Sequence, residues 1–118
     1  MSGDSRLLVQ GIGDVTIINF QDASILDTLL IQKIAAELYG LVDEKAKRKI
    51  ILDFTTVKYM ASQTLGVLLT LQKKARTLKG KVVFCSLKPD LMKVFKITGL
   101  EKMFEFYDDE TKALDAFR

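Results

Sequence analysis

Apolar and polar residues alternate along this chain in blocks that predict strands and helices in turn. Two β-rich runs, residues 7–10 and 15–20, flank a Gly-containing stretch, which predicts an N-terminal hairpin. Ser24 followed by Asp27 predicts a capping box at a helix start. Behind it, apolar residues recur every fourth position, the spacing of one helix face, and this helix is expected to end near Val42. The recurring residues are Leu26, Leu30, Ile34 and Leu38.

The middle of the chain repeats the alternation. Residues 50–54 form a short apolar run, which predicts a central strand buried on both faces. A second helix follows, with Gln72 on its solvent side and Gly80 as its left-handed stop. Its apolar positions are Leu65, Leu68, Leu71, Ala75 and Leu78.

The last third of the chain continues the pattern. Residues 82–85 predict another buried strand, and Pro89 opens a third helix that ends at Gly99. Residues 103–107 predict a last strand, and Asp108 is expected to cap a short final helix. The order β-β-α-β-α-β-α-β-α predicts an α/β fold, with helices packed against a mostly parallel sheet that starts with a hairpin. We expect one domain over residues 1–118, with an ordered core of about 6–117.

Composition narrows the class of protein. The 118 residues are 48% hydrophobic, with a net charge of +3, as in an ordinary globular domain. No apolar run reaches the length of a membrane span, and the N-terminal residues lack the apolar middle of a secretory signal. One cysteine permits no internal disulfide. We therefore expect a cytoplasmic protein without membrane contact. The basic residues fall in two clusters, 45–49 and 73–81, at helix ends and outer faces, and they do not form the single basic face with interleaved aromatics that predicts nucleic-acid binding.

The sequence lacks the usual parts of an enzyme active site. There is no histidine, the commonest general base and metal ligand. Neither a phosphate-binding loop nor the Gly-x-Ser-x-Gly elbow of hydrolases occurs, and no acids show metal-ligand spacing. We expect no catalytic residue, no metal and no cofactor.

The segment of residues 57–69 is the most informative one. It follows a buried strand and opens a helix, which places Ser62 at or next to the N-cap. One interpretation is a plain cap, worth about 1 kcal/mol. The other is a phosphate acceptor, because free amides and the helix dipole stabilise negative charge there, and a phosphate inside an interface would repel a partner. Gly66, inside the helix, suggests close approach of a strand or of a partner.

Three further residues have structural interpretations. Asp53 ends a buried strand, where its carboxylate is expected to accept hydrogen bonds from loop amides. Cys85 is expected in the core. Tyr59 is either an exposed anchor for a partner or part of a buried strand.

Residues 59–68, YMASQTLGVL, resemble the strand-to-helix signature of the STAS domain in bacterial anti-sigma-factor antagonists, usually Asp-Ser-Ser/Ala-Gly-Leu-Gly-Val-Leu. Residues 79–82, KGKV, and 94–100, VFKITGL, are also similar to that family. The resemblance runs from about Arg6 to Phe117. The sequence departs from the family where Ala61 stands in place of aspartate and Thr64 in place of glycine.

The resemblance implies a non-catalytic partner switch. Ser62 matches the serine that is phosphorylated in the family, and Thr64 is a second candidate. The implied partners are an anti-sigma factor with serine kinase activity, which phosphorylation releases, and a serine phosphatase that resets the system. The implied binding residues are Tyr59, Met60, Ala61, Ser62, Gln63, Thr64 and Gly66. The alternative is a constitutive STAS scaffold in a stress-signalling assembly without phosphorylation, and the sequence leaves the oligomeric state open.

Overall fold

A computed structural model describes residues 5–118. The first four residues of the predicted domain therefore lie outside the described part. Strands and helices alternate as expected, with two short strands and one 3-10 helix in addition. The elements are β1 (Leu7–Ile12), β2 (Val15–Phe20), β3 (Ser24–Ile25), α1 (Thr28–Asp43), β4 (Lys49–Asp53), β5 (Tyr59–Met60), α2 (Ser62–Thr77), β6 (Lys81–Cys85), α3 (Pro89–Ile97), a 3-10 helix (Leu100–Met103), β7 (Glu105–Tyr107) and α4 (Glu110–Asp115).

Five strands form the central sheet in the order β1-β2-β4-β6-β7. β1 and β2 pair antiparallel as a hairpin, whereas the pairs from β2 to β7 are parallel. Gly13, with φ of 60°, takes the first position of the two-residue turn, where a type II′ turn requires positive φ. The mostly parallel sheet with an N-terminal hairpin confirms the predicted fold class.

The sheet is covered on both faces. α1, α2 and α3 cover one face over a large core that includes Ile50 and Leu52, while Ile51 points into a smaller core under α4. Every residue from Ile50 to Phe54 is buried, which confirms the prediction of a central strand. Packed phenylalanine rings occupy the core under α1, α2 and α3, with centroid separations of 4.5–6.5 Å. They are Phe20, Phe54, Phe84, Phe95, Phe104 and Phe106.

The first helix begins later than its sequence predicts. Asp27 is the N-cap and its carboxylate accepts from the amide of Leu30 at 3.0 Å. Ser24, predicted to start a capping box, instead belongs to β3, and Leu26 lies outside the helix. The final helix shows the same kind of shift, because Asp109 rather than Asp108 is its N-cap.

The second helix also differs at its solvent side and at its end. Gln72 is buried, and its amide donates to the backbone oxygen of Met103 at 2.8 Å, so the prediction of an exposed Gln72 is wrong. The left-handed residue after the helix is Lys79, with φ of 61°, and not Gly80. Glycine is needed at position 80 for a different reason: a Cβ there would lie 2.0 Å from the backbone oxygen of Arg48. Gly99, with φ of 76°, follows α3 as predicted.

Within the described residues, none of the helices combines the length and apolar character that crossing a membrane requires.

Candidate functional site

The starts of α1 and α2 lie side by side because short strands pair just before them. Ser24 pairs with Tyr59 and Ile25 with Met60 in a parallel two-stranded sheet. The amide of Lys58 donates to the oxygen of Ala23 at 2.8 Å. On the other side of the pairing, the amide of Ala61 donates to the oxygen of Ile25 at 2.9 Å. Two helix N-termini, each the positive end of a helix dipole, therefore open at one edge of the molecule.

Ser62 is the first residue of α2, and its side chain is exposed. The N-cap is the preceding residue, Ala61, and no side chain of the described residues caps the helix. The first-turn amides of an α-helix have no partner within the helix, so this end keeps free donors next to the Ser62 hydroxyl. The plain-cap interpretation of Ser62 is not what the hydrogen bonds show.

Exposed apolar side chains surround this helix start. Leu26 just precedes α1, Leu29 lies in its first turn and Tyr59 lies in β5, with exposed fractions of 55%, 60% and 61%. Leu26 and Tyr59 line a groove of about 290 Å³ that has Leu91 and Val94 of α3 on its other wall. We call Leu26, Leu29, Tyr59 and Ser62 the docking surface. A cluster of exposed apolar groups beside a groove is typical of a protein-binding site.

The remaining predicted binding residues divide between surface and interior. Gln63 and Gly66 are exposed, whereas Met60 and Thr64 are buried and Ala61 is half-buried. Thr64 is 1% exposed, and its hydroxyl has no hydrogen-bond partner among residues 5–118. A Cβ built on Gly66 would meet nothing within 4 Å, so no strand approaches it. Of the two explanations for this glycine, close approach of a partner remains.

Comparison with known proteins gives the family. A model described as the STAS domain matches residues 6–113. The chain belongs to the STAS domain family. This match confirms the resemblance that residues 59–68 indicate.

Two curated relatives of this STAS domain are named as antagonists of anti-sigma factors. BtrV of Bordetella bronchiseptica, a candidate anti-sigma factor antagonist, is 34% identical over 87 residues, which are 74% of this chain and 74% of BtrV. The anti-sigma F factor antagonist of Paenibacillus polymyxa is 30% identical over 77 residues, 62% of this chain and 66% of the relative.

Solved structures show the same fold. The anti-sigma factor antagonist SpoIIAA in its unphosphorylated form superposes with a TM-score of 0.80 at 21% identity, covering 95% of this chain and 96% of SpoIIAA. The phosphorylated form of SpoIIAA, from Bacillus, gives a TM-score of 0.72 at 20% identity, covering 95% and 99% of the two chains.

The loop that leads to Ser62 in this STAS domain is held by a residue that sequence patterns do not single out. Lys88, just before α3, donates from its ammonium to the backbone oxygen of Thr55 and, at 3.4 Å, to that of Val57. These two bonds tie the chain between β4 and β5 to the start of α3. A Lys-Pro pair carries no signal for such a role, because the carbonyls come from a segment 31 to 33 residues away.

A pair of carboxyl groups lies on the other face of the STAS domain. Asp53 accepts from the amide and hydroxyl of Thr55 at 2.8 and 2.5 Å, which confirms its predicted pairing with the loop. Burial opposes ionisation of Asp53, but hydrogen bonds from Glu110 and Thr55 outweigh it and lower its pKa. The hydrogen bond to Asp53, together with burial, raises the pKa of Glu110, which also accepts from Asn19 at 3.3 Å.

A cysteine thiol lies next to this pair. Cys85 is fully buried, as predicted, and burial raises its pKa to about 12. No group of three or more potential ligands among residues 5–118 is arranged to hold a metal ion. The carboxyl pair lies between the end of β4 and the start of α4.

Proposed function

We propose that this chain is an anti-sigma factor antagonist, a non-catalytic module whose docking surface binds an anti-sigma factor with serine kinase activity. Phosphorylation of Ser62 releases that partner, and a serine phosphatase restores binding. The observation that carries the proposal is the position of Ser62: an exposed hydroxyl at an uncapped helix start, bordered by exposed Leu26, Leu29 and Tyr59. The names of the two curated relatives support the proposed partner class.

The geometry supports both states of the proposed switch. A phosphoserine carries a charge of about −1.5 to −2 at neutral pH, and the free amides and dipole of α2 stabilise such a charge. The fold therefore tolerates the modification. A partner that packs on the apolar groups would have to bury the same charge without a countercharge, which is unfavourable. Among relatives of known structure, SpoIIAA exists in phosphorylated and unphosphorylated forms, and both share this fold.

Ser62 is a better acceptor than Thr64 in this structure. The Thr64 hydroxyl is buried beneath the first turn of α2, so a kinase would reach it only after that turn opened. We therefore assign the modification to Ser62 and a supporting role to Thr64 and Met60, which pack under the docking surface.

The first experiment combines the purified chain with the serine-kinase anti-sigma factors of its host and ATP. We expect the intact mass to rise by one phosphate, fragment spectra to place it on Ser62, and Ser62→Ala to abolish it. Calorimetric titration then compares Ser62→Asp with the uncharged, equally sized Ser62→Asn. Asp should weaken binding by at least about 30-fold relative to Asn, because an unpaired buried charge costs about 2 kcal/mol or more.

One observation supports the scaffold alternative. The N-cap of α2 is Ala61, which has no carboxylate, whereas the family usually has aspartate at this position. Under that alternative the host kinases leave Ser62 unmodified, and Ser62→Asp and Ser62→Asn bind the partner equally well.

A further inference from the structure

The outer edge of β1 is unusual among sheet edges because it has no charge to prevent pairing. β1 is six residues long, LLVQGI, with three exposed large apolar side chains: Leu8 at 61%, Val9 at 45% and Ile12 at 47%. Within residues 5–118 it pairs with β2 alone. Proteins commonly protect such edges with charged residues, proline or short strands. The opposite edge follows that rule, since β7 has only three residues and carries Glu105 in a salt bridge with Lys81.

The backbone amides and carbonyls of β1 point alternately toward β2 and toward the free edge of the sheet. The amide of Gln21 donates to the oxygen of Arg6, and Ile12 and Val15 close the two-residue hairpin. Even-numbered residues therefore direct their backbone groups toward β2, while Val9 and Gly11 direct theirs outward. The free edge thus offers donors and acceptors at alternate residues, as an antiparallel partner strand requires.

The side chains of β1 alternate between the two faces of the sheet, odd-numbered residues on one face and even-numbered residues on the other. Leu7 belongs to the core under α1, so Leu8 and Ile12 lie on the opposite face, the one that carries α4. α4 packs on β4, β6 and β7. It does not cover the side chains of Leu8 and Ile12, which remain exposed at this edge of the sheet.

We propose that two copies of this chain associate through their β1 edges, antiparallel, as one continuous sheet with Gln10 on the two-fold axis. In this register Leu8 of each copy lies opposite Ile12 of the other, and Val9 exchanges hydrogen bonds with Gly11. Gly11 has open space where a Cβ would be, so the Val9 side chain of the second copy can pack against its backbone.

The self-complementary order of side chains selects this register. Shifting the two-fold axis by one residue, to Val9, sets Leu8 against Gln10 and Ile12 against the charged Arg6. With the axis at Gln10, apolar residues pair with apolar residues, and Arg6 lies near the turn that carries Asp14 of the other copy. Arg6 and Asp14 each have an ion-pair partner in their own chain, Asp22 at 3.8 Å and Lys49 at 2.6 Å, and both remain partly exposed, so the apolar pairs carry the choice of register. Opposite charges and apolar pairs across strands are stabilising.

Cysteine substitutions test both the contact and its register. In the proposed pair the two Gln10 Cα atoms are about 4.5 Å apart, within disulfide range. The two Leu8 Cα atoms, by contrast, are about 14 Å apart, because four residues along a strand separate them. We expect Gln10→Cys to form a covalent dimer in a glutathione redox buffer, seen by intact mass and non-reducing electrophoresis. Leu8→Cys, the matched control, should stay a single chain. The native Cys85 is buried and does not interfere.

Sedimentation of the unmodified chain gives the second measurement. A contact of one strand per copy belongs to the weak class of interfaces, so the average mass should rise toward that of two chains as concentration increases. Leu8→Lys with Ile12→Lys should hold the mass at one chain, whereas Ile97→Lys, a change at another exposed apolar residue, should leave association intact. A constant single-chain mass for the unmodified protein overturns the proposal, and so does equal cross-linking of both cysteine variants. Neither result bears on Ser62, since among residues 5–118 β1 pairs with β2 alone and Ser62 follows β5 of the separate two-stranded sheet.

Discussion

Replacing Gly66 by alanine separates the stability of α2 from its capacity to bind a partner. Gly66 lies inside the helix with an ordinary helical φ, and an added methyl group meets no atom within 4 Å. Alanine is more favourable than glycine in a helix interior by about 1 kcal/mol. For a chain of this length we therefore expect a rise in melting temperature of about 4 °C.

Partner binding should change in the opposite direction. If the partner packs on the bare backbone at Gly66, a new methyl group in that contact costs about 1 kcal/mol or more, a loss of affinity of at least about fivefold. The chain supplies a matched control in Gly40, inside α1, whose added Cβ would make only an ordinary 3.8 Å contact with Glu44. Gly40→Ala should raise the melting temperature similarly without affecting binding.

Calorimetry measures both quantities, by thermal scans of the free chain and by titration with the proposed partner. A lower melting temperature for Gly66→Ala would contradict the open space seen around Gly66. Equal partner affinities for the two alanine variants would remove Gly66 from the interface and leave its presence in the helix without a binding explanation.

Three further predictions concern the sheet. Folding raises the pKa of Glu110, so the contribution of this group to stability is lost as pH rises from the ordinary 4.5 through the folded value. Glu110→Gln cannot ionise, so its stability relative to the wild type, measured by denaturant unfolding, should be greatest near pH 7 and decrease toward pH 4.5. A difference independent of pH would contradict the raised pKa of Glu110. Gly80→Ala should lower the free energy of unfolding by about 3 kcal/mol or more, because its Cβ would lie 2.0 Å from the Arg48 oxygen. Chemical unfolding measures this loss. A loss below about 1 kcal/mol would show that the backbone at Arg48 and at Gly80 separates easily. Cys85, with a pKa of about 12, should react with a thiol reagent at pH 8 only as fast as the chain unfolds, and rapid labelling of the native protein would refute its burial.

Local patterns predict the long elements because each is buried along its whole length, a helix on one face and a central strand on both. The stripe that includes Ile34 and Leu38 and the apolar run of β4 are examples. The pattern fails where a single distant group decides the outcome. Gln72 has the polarity of a solvent-facing residue, but it is buried because the backbone oxygen of Met103, 31 residues away, accepts its amide hydrogen.

The candidate site shows the same contrast between residues that a local pattern predicts and residues that distant segments contribute. Ser62 could be placed at a helix start because a strand ends and a helix begins within one short segment. Leu29 and Lys88 could not be assigned, since they reach the site from α1 and from the start of α3. β3 and β5 have two residues each, too few for any alternation to be visible. Their pairing brings the two helix starts together, and no pattern within either segment encodes it.

The brevity of the β3–β5 pairing makes the docking surface a separate unit of local opening. Two residue pairs hold it, and Ser24 and Tyr59 are exposed, whereas β4 is buried and paired on both sides. Segments with few buried contacts open at a small fraction of the free energy of global unfolding. Amide hydrogens of Tyr59 and Ala61 should therefore exchange with solvent long before those of Ile51. If Ser62 is modified as proposed, the surface around it would loosen to reach an enzyme's cleft while the sheet beneath it stays folded.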